Sequence, residues 1–264
     1  MQRLALITGA SSGIGWVFAK QLVARGYQLV IVARRHERLR ELASSLEDAG
    51  RGGAEILAAD LASDEGIAQV EQRIAGAENL DLLVNNAGFG ATGYFHQTDP
   101  GTHDQMHRLH VLATLRLTRA ALPGMIARRR GAIINVSSVA GFWQAPGSVS
   151  YDATKCWMNS FTRGVALELK HIGSPVKVQA LCPGFTVTEF HEAAGINREM
   201  IPKSWWMTAE DVVADSLKGL DQGELFVIPG WRYRLLVFFM KHAPQNVLDR
   251  FALRQTRNLP AQSH

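Results

Sequence analysis

Ser138, Tyr151 and Lys155 are the residues whose types and spacing can do chemistry: a serine, a tyrosine thirteen residues on, and a lysine four further. With 150–172 as a helix, Tyr151 and Lys155 stand one turn apart and leave the same face. Free tyrosine ionises near pH ~10, too high for easy proton exchange at neutrality, and each tenfold bias toward the phenolate requires about 1.4 kcal/mol. The neighbouring ammonium is expected to supply it. Such a phenol gives a proton to a carbonyl oxygen, or takes one from an alcohol, while the Ser138 hydroxyl holds that oxygen in place. None of the three side chains can carry a hydride. A redox cofactor is therefore expected, and the N-terminal stretch offers it a place.

There Thr8-Gly9-Ala10-Ser11-Ser12-Gly13-Ile14-Gly15 follows an apolar run and opens a helical one. Gly9 lets the chain turn, Gly13 lets backbone amides approach a pyrophosphate, Gly15 allows helix to pack on sheet, and the helix N-terminus favours phosphate charge. At the end of the next apolar run an acid would bind the ribose hydroxyls of NAD, whereas arginine accommodates the extra phosphate of NADP. The chain reads Val32-Ala33-Arg34-Arg35, with no acid. Arg34 is the main candidate for the 2'-phosphate and Arg35 a second ligand or a stack on adenine, so NADP(H) is preferred over NAD(H). A solvated basic helix start, with Arg38 and Arg40 in the same run, is the bland alternative.

The elements that must position these groups are legible as alternating runs. Segments 4–7, 28–32, 55–59, 80–84 and 132–136 are short, largely apolar runs, continuous rather than alternating, as parallel strands buried on both faces should be. Helices are expected between them at 14–25, 37–49, 64–74 and, as one long element, 100–129. Two more strands, 176–181 and 224–228, follow the Tyr151 helix. The expected fold is α/β: a single Rossmann-type domain over 1–264, with a doubly wound parallel sheet of about seven strands and helices on both faces. Residues 185–207, directly after a strand end and without a clear period, are expected to form a substrate lid, and 230–264 a C-terminal helical extension.

Together these motifs resemble the short-chain dehydrogenase/reductase family, in its classical branch, over about residues 3–188. The resemblance extends to Asn85-Asn86-Ala87-Gly88, beside the nicotinamide ribose in that family, and to Asp60-Leu61, which would contact adenine. It also covers Pro183-Gly184 with Thr186 and Thr188 at the nicotinamide and phosphate end. It implies that Ser138 orients a carbonyl oxygen, that Tyr151 is the proton donor or acceptor with its pKa lowered by Lys155 and the nicotinamide charge, and that Lys155 also holds the ribose. One position departs. The family usually carries an asparagine thirteen residues before a proline, holding a water in the proton relay; counting back from Pro123 gives His110. The implied activity is hydride transfer between NADP(H) and a ketone, aldehyde or secondary alcohol. A non-catalytic NADP-binding sensor or scaffold of the same fold is the alternative, and a reductase of carrier- or coenzyme-linked acyl groups a third.

Composition narrows the partners. The net charge of +4 comes from dispersed basic residues, apart from Arg128 to Arg130 and Arg232 to Arg234, so nucleic acid is not expected. Cys156 and Cys182 suggest no disulfide framework, and no leader or membrane span is evident, so a cytoplasmic protein is expected. His103, His107 and His110 recur at i, i+4, i+7, but lack a fourth ligand, and no metal is expected. Phe89, Phe142, Trp143, Phe185, Phe190, Trp205 and Trp206 are nominated as the pocket of a moderately sized apolar substrate. The ending resembles a subgroup related to acyl and hydroxysteroid carbonyl reductases. Its Trp231-Arg232-Tyr233-Arg234 and apolar 235–240 suit a membrane surface or an oligomer contact, with the contact preferred. A homodimer or homotetramer is expected, through a helix face of Met158, Phe161, Val165 and Leu169.

Overall fold

The computed structural model describes residues 2–48, 53–189 and 201–255. Strand β1 (Leu4–Thr8) is buried at every position, as is β4 (Leu80–Asn85), and β2 (Gln28–Ala33) is buried through its middle. Runs with no polar alternation have no face to give to water, so they occupy the centre of a sheet covered on both sides. β3 (Ala54–Ala58), β5 (Ala132–Val136), β6 (Lys177–Leu181) and the two-residue β7 (Phe226–Val227) complete it. The order is β3-β2-β1-β4-β5-β6-β7, with every pairing parallel. Between β1 and β4 the winding reverses, which opens a crevice beyond the carboxyl ends of the strands.

Helices α1 (Gly13–Ala24) and α2 (His36–Asp48) cover one face, packing Phe18, Leu22, Leu39 and Leu42 into it. The other face receives α3 (Asp64–Ala75), with Ile67 and Val70 fully buried. The stretch expected as one helix from 100 to 129 is in three parts: α4 (Pro100–His107), a π turn (Arg108–Ala113) and α5 (Thr114–Ala127). A π turn carries one residue more per hydrogen-bonded turn, so side chains beyond it leave the α-helical register. α6 (Val149–His171) follows, and α7 (Ala209–Gln222) returns to the first face with Val212 and Leu217.

Met158 and Leu169, expected on an outward face for a second copy, are buried in this chain at 2% and 4% exposure. A helix laid on a parallel sheet turns its apolar stripe to the sheet, and Leu115 on α5 and Val149 and Leu167 on α6 are left outside. Polar groups also bind these layers. Asn85 Nδ2 donates to Asn135 Oδ1 (2.8 Å) and Thr118 Oγ1 (3.1 Å), while Asn135 Nδ2 donates to Thr162 Oγ1 (2.9 Å). The apolar 235–240 run lies inside α8 (Trp231–His242), and α9 (Gln245–Gln255) follows it.

Candidate active site

The glycine turn leaves β1 into α1 at the crevice. Gly9 has φ +66°, and a Cβ there would stand 2.8 Å from Asn86 Nδ2 and 2.9 Å from Ala87 Cα. Asn86 braces this turn, its Nδ2 donating to the carbonyls of Thr8 (2.8 Å) and Gly9 (3.1 Å). Ser12 is extended ahead of α1, no side chain caps the first turn, and no acid stands there. Backbone N–H groups are thus left for an anion, with the helix dipole behind them. Gly9, Ser11, Ser12, Gly13 and Ile14 line a cleft of about 1310 Å³ that continues past Asp60, Leu61, Ala87 and Gly88 to Pro183, Gly184, Thr186 and Thr188. That volume exceeds the ~300–1,000 Å³ of a typical small-ligand pocket, and the donor set fits a dinucleotide with room beside it. Gly15 stays out of the lining; a Cβ there would stand 2.4 Å from the Gly9 carbonyl oxygen, so its part is packing.

Arg34 and Arg35 both line one corner of the cleft. Arg35, not Arg34, reaches the glycine loop: its Nη2 donates to Ser11 Oγ (3.1 Å) and Ser12 Oγ (2.9 Å). Its Nη1 meets Glu189 Oε2 at 3.1 Å, and Arg38 Nη2 meets Glu189 Oε1 at 2.9 Å. Burial works to raise the Glu189 carboxyl, but the hydrogen bond and charge of Arg35, followed by those of Arg38, hold it below the usual carboxylate range.

Ser138 follows β5 and caps a short turn, accepting from the Ala140 N–H (3.1 Å), and its hydroxyl hydrogen-bonds the Tyr151 phenol. Tyr151 and Lys155 share the inner face of α6, and the helical spacing brings them, with Ser138, to the wall of the same cleft. Lys155 Nζ donates to the Val136 carbonyl (2.9 Å) and lies 5.6 Å from the centre of the Tyr151 ring. Lys155 by itself does not lower the Tyr151 pKa as its spacing suggested. Burial pushes the phenol up to about 12, the Ser138 hydrogen bond opposes this, and the Asp152 charge adds to it. Burial also lowers Lys155 to about 8. An ammonium aimed at a strand carbonyl does little for a phenol oxygen, so desolvation wins.

His110 lies beneath the cleft, fully buried, inside the π turn. The Phe89 N–H donates to Nε2 (3.2 Å), so the ring proton is on Nδ1, which faces Thr154 Oγ1 at 2.9 Å. Thr154 in turn donates to the Tyr151 carbonyl oxygen (2.8 Å). Both ring nitrogens are taken, which leaves neither for the water relay expected of the usual asparagine. Burial, with the charges of Lys155 and His107, holds its pKa well below the ordinary value. His103 goes elsewhere: its ring stacks on Phe95, and its Nε2 lies 3.4 Å from the Phe95 carbonyl oxygen. Among the described residues no group of three acidic, histidine or cysteine side chains converges on a point.

The family model for short chain dehydrogenases matches residues 3–199. This chain belongs to the short-chain dehydrogenase family. The dehydrogenase is 34% identical to a solved short-chain dehydrogenase from Sphingobium yanoikuyae in complex with NADPH, with 99% of this chain and 98% of that one covered and a TM-score of 0.82. To a bulky-bulky ketone specific alcohol dehydrogenase from Comamonas testosteroni it is 31% identical, with 99% and 96% covered and a TM-score of 0.77. To the very-long-chain 3-oxoacyl-CoA reductase of Anas platyrhynchos it is 32% identical over 191 residues, 70% of this chain and 60% of that protein. The aligned stretch is thus about three fifths of that relative's length.

At the far end of the cleft, the short-chain dehydrogenase departs from its sequence reading. Phe89, Trp143, Phe185 and Trp205 line the cleft as nominated. Phe142 does not: it packs edge-on against Phe226 with Lys241 Nζ 4.7 Å from its ring centre. Trp206 backs Phe185, 5.5 Å between ring centres, and Phe190 lies outside the described residues. Tyr233, Leu236, Met240 and Phe251, which were not nominated, do line it. The Tyr233 hydroxyl accepts from the Phe185 N–H (2.9 Å) and donates to the Trp205 carbonyl (2.6 Å). The i, i+3, i+7 spacing of Tyr233, Leu236 and Met240 was the signal available for a helix roofing the site.

Proposed function

We propose that this short-chain dehydrogenase is an NADP(H)-dependent carbonyl reductase, reversibly an alcohol dehydrogenase, for apolar ketones or aldehydes of moderate to large size. The observation that carries the reading is the convergence of Ser138, Tyr151 and Lys155 on one cleft with the uncapped start of α1 and the Arg35 corner. Gly9 to Gly15, Asp60, Leu61 and Asn86 to Gly88 would hold the dinucleotide, Thr186 and Thr188 its nicotinamide half. Arg35 with Ser11 and Ser12 would take the 2'-phosphate, and Arg34 the outer side. Reduced nicotinamide supplies a hydride for the carbonyl carbon when bound. Ser138 donates a hydrogen bond to the carbonyl oxygen, and Tyr151, protonated at neutrality, places a proton on it as the C=O bond becomes CH–OH. Lys155 would anchor the ribose, and the Ser138 hydroxyl, already hydrogen-bonded to the phenol, supports Tyr151 as its proton leaves. His110 is proposed as a positioning residue behind Tyr151.

The apolar end, roofed by Tyr233, Leu236, Met240 and Trp205, supports a substrate with large hydrophobic arms. The relative described as specific for bulky-bulky ketones points the same way. Two free thiols, Cys156 and Cys182, suit a reducing, cytoplasmic setting. Assembly as a homodimer or homotetramer is proposed from the family's habit. Turnover of NADPH against a panel of apolar ketones, followed at the reduced-nicotinamide absorbance, tests the activity, and Tyr151→Phe should lower kcat by ~10²-fold or more. NADPH binding without turnover on any of the panel, unchanged by Tyr151→Phe, would favour the non-catalytic sensor.

A further inference from the structure

α8 has two apolar faces. Tyr233, Val237 and Met240 are buried toward the body of the protein, and Tyr233, Leu236 and Met240 line the cleft. Trp231, Leu235, Phe238 and Phe239 point away and are exposed by 63%, 62%, 62% and 46%. At helical spacing these four form one outward stripe, since i, i+4, i+7 and i+8 share a face. Arg232 falls along one border of that stripe and Arg234 along the other, Lys241 turns its Nζ to the Phe142 ring at 4.7 Å, and α8 contains no acidic residue. α9 adds exposed Val247, Phe251 and Leu253, with Arg250 and Arg254 beside Val247 on the helix and Asp249, its one acid, accepting from Gln245 Nε2 (2.9 Å) on the opposite side from Phe251.

We propose that α8 and α9 form a lipid-docking face that seats the protein on a bilayer carrying anionic headgroups. Aromatic and leucine side chains enter the headgroup and acyl boundary, and the bordering cations meet the phosphates. Charge complementarity decides for this occupant. A second copy meeting the stripe about a two-fold axis would set its arginine borders against the same arginines, with no carboxylates on α8 to relieve them. The same helices roof the cleft, and Phe251, 41% exposed and 5.4 Å from Trp143 between ring centres, belongs to both surfaces. An apolar molecule dissolved in the bilayer therefore has a short apolar path to the site. No helix among the described residues is long and apolar enough to cross a membrane, so the attachment is peripheral.

The test is co-sedimentation of the full chain with vesicles of phosphatidylcholine alone and of phosphatidylcholine mixed with phosphatidylglycerol, with no turnover required. Binding to the mixed vesicles is expected, weakening as salt is added. Arg232→Gln and Arg234→Gln should each weaken it about fivefold, and Leu235→Ser with Phe238→Ser by about tenfold or more. NADPH affinity, unchanged in all of these, controls for folding. Equal or absent binding to the two vesicle types overturns the proposal, as do variants that bind like the parent. So does light scattering in which Leu235→Ser with Phe238→Ser breaks an assembly into smaller species while vesicle binding stays the same, which would assign the stripe to a second copy.

Discussion

His110 Nδ1 lies 2.9 Å from Thr154 Oγ1, and the Thr154 hydroxyl is itself donated to the carbonyl oxygen of Tyr151. With the Phe89 N–H held on Nε2, the imidazole joins the Gly88–Phe89 corner of the cleft to the first turn of α6. His110→Ala would orphan a buried N–H and open a cavity. It should cost about 2–4 kcal/mol in urea denaturation and lower kcat roughly tenfold to a hundredfold with a smaller effect on the KM for NADPH. Because His110 stays neutral, the parent's pH profile between 5.5 and 7.5 should carry no limb that His110→Asn removes. A limb that disappears in His110→Asn would mean the imidazole titrates in the reaction.

Arg35 stands between the glycine-loop hydroxyls and Glu189, so the carboxylate competes for the guanidinium proposed for the 2'-phosphate. Glu189→Gln should tighten NADPH a few-fold and leave NADH unchanged, the exposed ion pair being worth only ~0.2–1 kcal/mol. Arg35→Ala should weaken NADPH by about tenfold or more, since a hydrogen bond to a charged group contributes ~1.5–3 kcal/mol. Fluorescence titration with both nucleotides checks the pair; equal losses for NADPH and NADH on Arg35→Ala would remove Arg35 from the phosphate site.

Asp152 is buried beside Tyr151, accepting from the Ala145 N–H (2.9 Å) and the Ser148 hydroxyl (2.7 Å). Burial raises its pKa to about 6 against those two hydrogen bonds. A carboxyl that holds its proton more tightly when folded favours the fold at low pH. Stability from this group falls as pH rises from the unfolded value through about 6 and does not return above it. Asp152→Asn keeps an acceptor and removes the ionisation. The fall in unfolding free energy between pH 4 and pH 7 should shrink by up to about 3 kcal/mol in the variant; an unchanged slope would show that Asp152 does not titrate there.

Tyr233 ties the C-terminal roof to the apolar end of the cleft through the Phe185 N–H and the Trp205 carbonyl. A Cβ on Gly184 would stand 2.0 Å from Tyr233 Cζ, so the ring rests directly on the strand-end turn. Tyr233→Phe should lower stability by about 1–3 kcal/mol and raise KM for bulky ketones more than for small ones. Thermal melts and a KM series over ketone size would measure both, and equal KM effects across sizes would show that the roof does not sense the substrate.

The parallel strands were readable because a strand covered on both faces has no polar alternation to confuse with a helix or loop. The glycine turn and the Tyr151–Lys155 pair were readable because their geometry is local: a turn that needs positive φ at Gly9, and one helical turn between phenol and ammonium. Arg34 and Arg35 could be placed beside the glycine turn at the rim of the cleft for the same reason. Which of the two faces Ser11 depended on how α2 leaves β2.

Sequence by itself therefore determined the strand order's raw material, the glycine turn and the three chemical groups, all set by spacing within single elements. Tertiary structure decided what depends on distant partners. The π turn encloses a His110 whose hydrogen bonds come from Phe89 and Thr154, 21 and 44 residues away. The Tyr151 phenol is raised by burial that α6 acquires only in the assembled cleft. Phe142 and Trp206 were drawn into packing while Tyr233, Leu236, Met240 and Phe251 became the roof. Aromatic and apolar types alone do not say which cavity they face, because the same transfer free energy rewards burial against protein or against substrate.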